Sequence, residues 1–259
     1  MEKCFRTINL AVLLIFFLSQ IGFTNEIPDV FICQSYGPGD KSGGLVIEPG
    51  TIEKLKSLGW EDGKTMNLHY FYMDTLANYK SPEYIKMRSR LALEEIDKAD
   101  KEVGIDLLII FDDNAFEYVA LPLAKTKYKI LFNGINVDPE YYDKDVDFMQ
   151  TREHPGYNIS GVKEQSVSRV GAKLVKMLIP DATKMVILAS ATYPYLAQMA
   201  NELEQDIIEN PESYPLELEG MYRASSWEDY QRLTLEMDQR DDVDVIFHYS
   251  PHGQYDKSG

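Results

Sequence analysis

Asp112, Asp113 and Asn114 place two carboxyl groups and a carboxamide directly after the apolar run Leu107 to Phe111. Behind a strand and ahead of a helical pattern, such side chains can accept hydrogen bonds from an ammonium or hydroxyl group in a partly dry crevice. Adjacent acids point in different directions, so one reads as facing a ligand and the other as capping the helix. Four other apolar runs also end in small polar clusters: Gln34-Ser35-Tyr36, Asn133-Gly134, Ser190-Ala191-Thr192-Tyr193 and Tyr249-Ser250. At Ser190 to Tyr193, free backbone N–H groups and hydroxyls would hold a carboxylate, or Ser190 or Thr192 would act as a plain N-cap. Tyr36, Tyr193 and Tyr249 could lay rigid aromatic faces against an apolar or ring-bearing molecule. Gly134 lets the backbone approach a ligand closely, and a tight turn explains it as well.

Catalysis has less to stand on. No nucleophile is paired with a base, and there is no GxSxG elbow, Walker loop or HExxH. His69, His154, His248 and His252 are too scattered for a metal site, and no cofactor motif is present. Asp112 and Asp113 would bind a divalent ion for phosphoryl transfer only with a further acid at an earlier strand end, where Gln34-Ser35-Tyr36 stands instead. A binding protein is therefore expected, with an enzyme using Asp112 and Asp113 as the remote alternative.

The elements that must position these groups alternate as strands and helices, the pattern of a parallel sheet flanked by helices. Strands are expected near 29 to 34, 66 to 73, 105 to 111 and 128 to 132, with helices near 48 to 58, 83 to 103 and 115 to 125. Gly104 ends the long amphipathic helix where a left-handed cap is wanted. A polar stretch with two prolines follows Asn136, too long for a simple loop. A second series then runs helix 163 to 178, strand 184 to 189, helix 193 to 209, strand 215 to 221, helix 226 to 238 and strand 243 to 248. The fold class is α/β, with two Rossmann-like lobes and a cleft between them. Ligands in such sheets sit beyond the carboxyl ends of the strands, where all five polar clusters fall. The expected divisions are 1–24, an export signal; 25–157, the first lobe; and 158–259, a second lobe that reads as incomplete. Asn158, Ser160 and Gly161 are expected at the crossing, where small residues absorb a hinge rotation.

The net charge of −16 disfavours nucleic acid as a partner. Lys3 and Arg6, then wholly apolar Leu10 to Leu18 and small residues up to Thr24, read as an export signal cleaved near Thr24, or as an uncleaved anchor. The protein is accordingly expected outside the cytoplasm, periplasmic or otherwise. Cys4 would leave with the signal, so Cys33 could form no internal disulfide and reads as a buried inert thiol.

Leu55 to Thr75 (LKSLGWEDGKTMNLHYFYMDT), Leu107 to Phe116 (LLIIFDDNAF) and His154 to Glu164 (HPGYNISGVKE) resemble stretches of the extracytoplasmic solute-binding proteins of ABC transporters. The nearest branch is the tryptophan/tyrosine-type substrate-binding family and the similar sensor domains of histidine kinases. The resemblance implies the periplasmic binding protein type I fold: a two-lobed receptor that closes on a small solute. It implies a membrane ABC permease as partner, or a signalling receptor such as a histidine kinase, to which the DDNA and MDT wording leans.

Overall fold

The structure, a computed structural model, describes residues 27–38, 47–75, 81–164 and 166–250. The expected export signal, Cys4 and residues 251–259 lie outside them. The chain divides into two compact units after Glu164.

In the first unit five parallel strands, β1 (Asp29–Gln34), β2 (Asn67–Tyr72), β3 (Leu107–Phe111), β4 (Ile130–Ile135) and β5 (Ile159–Lys163), are ordered β2-β1-β3-β4-β5. Every residue of central β3 is buried, as expected of a parallel strand covered on both faces. On one face Val30, Ile32, Ile109 and Phe111 pack with Leu55 of α1 (Ile47–Ser57). Helix α2 (Pro82–Glu102) starts cleanly because Ser81 accepts from the Tyr84 N–H and Pro82 needs no partner for a missing donor. It ends at Gly104, whose φ of +78° is the expected left-handed cap. Cys33 lies fully buried in β1, and desolvation pushes its thiol up to about 12.

Three local expectations are corrected. The helix expected at 115–125 begins earlier, as α3 (Asp113–Ala115), and continues through a π turn (Phe116–Ala120) and a 3-10 turn (Leu121–Leu123) containing Pro122. The irregular stretch after Asn136 holds a helix, α4 (Pro139–Val146), closed by Asp147 at φ +51°. Residues 159–163, expected to lead into or begin a helix, form β5, because Ile159 is buried and Gly161 lies against Phe132 of β4. That pairing places Asn158, Ser160 and Gly161 with the first unit. Asn158 Nδ2 donates to the Leu123 and Tyr128 carbonyls at 2.9 and 2.8 Å, which pins the entry to β5.

The second unit has α5 (Ser168–Leu178), β6 (Lys184–Ser190), α6 (Pro194–Glu209), β7 (Glu217–Ala224), α7 (Trp227–Asp238) and β8 (Val245–Tyr249). Its strands are parallel in the order β7-β6-β8. Met185, Ile187, Leu203 and Ile207 form the core between β6 and α6. Helix α5 buries Ser168 and Ala172 and exposes Val170, Leu174, Met177 and Leu178. No helix among the described residues is long and apolar enough to cross a membrane.

Candidate functional site

The order β1-β3-β4 carries three of the polar clusters to one end of the first sheet, since Gln34 pairs with Phe111 and Phe111 with Asn133. Ser35, Tyr36, Asp112, Asp113, Asn114, Asn133 and Gly134 are thereby neighbours, although they are drawn from positions spread over a hundred residues.

Ser35 is occupied by the protein itself. Its hydroxyl donates to the Phe111 carbonyl at 2.9 Å and accepts from the Ala115 N–H at 2.8 Å, tying β1 to the first turn of α3. Buried Thr75 fixes the same corner by donating from Oγ1 to the Ser35 carbonyl at 3.0 Å. Asp113 is also spent internally. Its carboxylate accepts from Asn136 Nδ2 at 2.7 Å, the Asn136 N–H at 3.1 Å and the Tyr142 hydroxyl at 3.3 Å. It holds the segment that leaves β4, and burial raises its pKa against the pull of those donors.

Asp112 is the cap of the pair: Oδ1 accepts from the Asp113 N–H at 2.6 Å, in a backbone with φ of +71°. The side chain also takes a hydrogen bond from Tyr36. Burial, then the charges of Asp113 and Glu164, lift its pKa well above the ordinary aspartate range. Glu164 and Glu117 are raised chiefly by burial, with Asp113 adding to both. The corner is thus a desolvated acidic cluster in which Tyr36 bonds Asp112 and Asn114 is buried. Asn133 Nδ2 reaches Thr51 Oγ1 only at 3.5 Å. Gly134 has φ +82°, so the turn favours glycine, while a Cβ there would stand 2.7 Å from Ile47 Cδ1, a side-chain end that can move aside.

In the second unit Ala189 pairs with Tyr249, so Ser190, Thr192 and Tyr193 share an end with Tyr249 and Ser250. The N-cap of α6 is Tyr193, followed by Pro194, which corrects the reading of Ser190 or Thr192 as the cap. Ser190 Oγ instead lies 3.1 Å from Thr192 Oγ1 and accepts from the Thr192 N–H at 3.4 Å. Tyr193 and Tyr195 stack with centroids 6.1 Å apart. Tyr249 is partly buried against the unit's core, and Ser250 has φ +47°.

Sequence reasoning passed over Glu48, Thr75, Asn136 and Tyr142, and took Gln34 only as part of a polar cluster. Gln34 carried a signal, being a polar residue inside an apolar strand; the others acquire partners only through the fold. Among the described residues no group of three or more His, Cys, Asp or Glu could hold a metal ion. His248 is engaged through Nδ1 with the Tyr230 hydroxyl at 2.7 Å.

No family model matches the chain, and no curated protein does. Solved structures do. An ABC domain in complex with L-Trp from Streptococcus pneumonia aligns with TM-score 0.60 at 16% identity, over 86% of this chain and 65% of that one. CD0873, a substrate-binding protein with adhesive properties from Clostridium difficile, gives 0.60 at 14% identity over 86% and 65%. The leucine-binding protein LivK from Thermotoga maritima gives 0.54 at 11% over 86% and 56%. The chain therefore spans about two thirds or less of the length of these structures. Two parallel α/β units in this order, matched by these receptors, establish that the chain has the periplasmic binding protein type I fold of ABC-transporter substrate-binding proteins.

Proposed function

We propose that the chain is an extracytoplasmic solute-binding protein that captures a small molecule, amino-acid-like or aromatic-bearing, for ABC-type uptake, and that it catalyses no reaction. The observation that carries this reading is the desolvated polar cluster at the carboxyl ends of β1 and β3, where Tyr36 bonds Asp112 and Asn114 is buried in the following turn. Desolvated polar groups at such a strand end select a ligand by its hydrogen-bond donors. The Ser190 to Tyr193 turn and the Tyr249-Ser250 end of the second unit form a polar strand end of their own that offers a solute further hydroxyl and aromatic groups. A membrane permease then recognises the loaded form.

The fold likeness supports a binding role and leaves the solute open. Titration calorimetry against amino acids, aromatic carboxylates and nucleosides tests the reading. Binding of one class, weakened by Asp112→Ala or Tyr36→Ala, is the expected result. Absence of heat and of any change in melting temperature across the panel would overturn it.

A further inference from the structure

A second polar group sits on the α1 side of β1, where side-chain alternation turns Gln34 away from the direction of Ser35. Gln34 is fully buried. Its Nε2 donates to Glu48 Oε2 at 3.4 Å, and the Tyr72 hydroxyl donates to Glu48 Oε1 at 3.0 Å. Gln34 Oε1 is buried with no hydrogen-bond partner among the described residues. Glu48 is only 8% exposed, and among the described residues no lysine, arginine or histidine pairs with it. A buried acceptor without a donor, next to a carboxylate without a cation, is a combination that folded proteins avoid unless something fills it.

We propose that Gln34 and Glu48 form a subsite for the ammonium group of an organic amine. An ammonium carries three donors and one positive charge, so it satisfies the orphan carbonyl and neutralises the carboxylate together. Water could donate to both groups but leaves the carboxylate charge uncompensated. A divalent cation needs six or so oxygen ligands, and Gln34 and Glu48 together offer three. The stacked rings of Tyr70 and Tyr72, with centroids 6.0 Å apart and planes 2° from parallel, add faces that attract a cation. Tyr70 is 41% exposed on edge strand β2.

This inference rests on the solute-binding reading and narrows it to amine-bearing solutes. The probes are primary amines and their deaminated counterparts: L-tryptophan, tryptamine and indole-3-propionate, and the matching sets for tyrosine and leucine. Titration calorimetry of the chain should show heat with the amines of at least one set and none with its deaminated acid. Glu48→Gln keeps the acceptor for Tyr72 and removes the charge, so amine affinity should fall by about tenfold or more. Gln34→Leu suits an apolar strand and provides a second variant, with the melting temperature of each confirming that it folds. If deaminated acids bind as tightly as the amines, or if both folded variants keep the amine affinity of the natural chain, the ammonium subsite is wrong and solute capture stands. If neither amines nor any other solute binds, both readings fall.

Discussion

Asp113 accepts from Asn136, Val137 and Tyr142, while Asp112 beside it accepts from the Asp113 N–H and from Tyr36. The two acids therefore call for different experiments. Asp113→Ala leaves several buried donors without an acceptor, and we expect a loss of about 2–3 kcal/mol in urea unfolding. Asp112 has its folded pKa raised by burial and by Asp113, so its ionisation opposes folding. The stability it contributes is complete below the unfolded aspartate value of about 3.9 and is lost as pH rises through the folded value. Asp112→Asn should therefore stabilise the protein at pH 7 relative to the natural chain. That advantage should shrink toward pH 4 in a series of thermal melts. Asparagine also tolerates the positive φ at this position. The triplet was legible as chemistry in the sequence. Which acid is spent on Asn136 was not, because Asn136 lies beyond the next strand and reaches Asp113 only when β3 and β4 pair.

Strands with continuous apolar runs and helices with cap signals were readable element by element: β1, β3, α2 and β6 lie within a few residues of expectation. The elements that were missed share a reason. Strand β5 reads Ile-Ser-Gly-Val-Lys, too short and too polar for alternation to mark it, and it is a strand because β4 offers an open edge. Gly161 makes that pairing possible: a Cβ there would lie 2.1 Å from the Phe132 carbonyl oxygen and 2.5 Å from the ring. Gly161→Ala should cost about 1–3 kcal/mol by forcing β5 from β4, read as a lower urea midpoint with faster amide exchange confined to these two strands. Helix α4 was hidden by its many acids. Asp138 nonetheless joins Lys163 and Arg152 at 2.6 Å each, and Glu140 joins Arg152 at 2.5 Å, which holds that polar segment near β5.

At the scale of the molecule, a parallel sheet in each unit sends the polar clusters of that unit to one end of its strands. A protein that captures a solute, as proposed for this chain, gains stability from it by mass action. A bound ligand at one hundred times its Kd should add about 2.7 kcal/mol, so the melting temperature should climb with the logarithm of solute concentration. A midpoint indifferent to a solute that gives heat in calorimetry would place that solute off the folded state. The net charge of −16 agrees with a preference for donors and cations over phosphates.

The sequence by itself determined the α/β class, most of the strands and helices, and the polar clusters at strand ends, because apolar period, caps and turn residues are local properties. The resemblance carried by three short stretches reached the fold that the solved structures share with this chain. Only the tertiary structure decided strand order, and with it the fate of each polar side chain. Ser35 and Asp113 became internal ties, Asp112 capped the helix that follows it, and Gln34 was buried with an acceptor unfilled. Hydrogen-bond partners more than twenty residues apart in the chain are chosen by packing, and no local pattern records that choice.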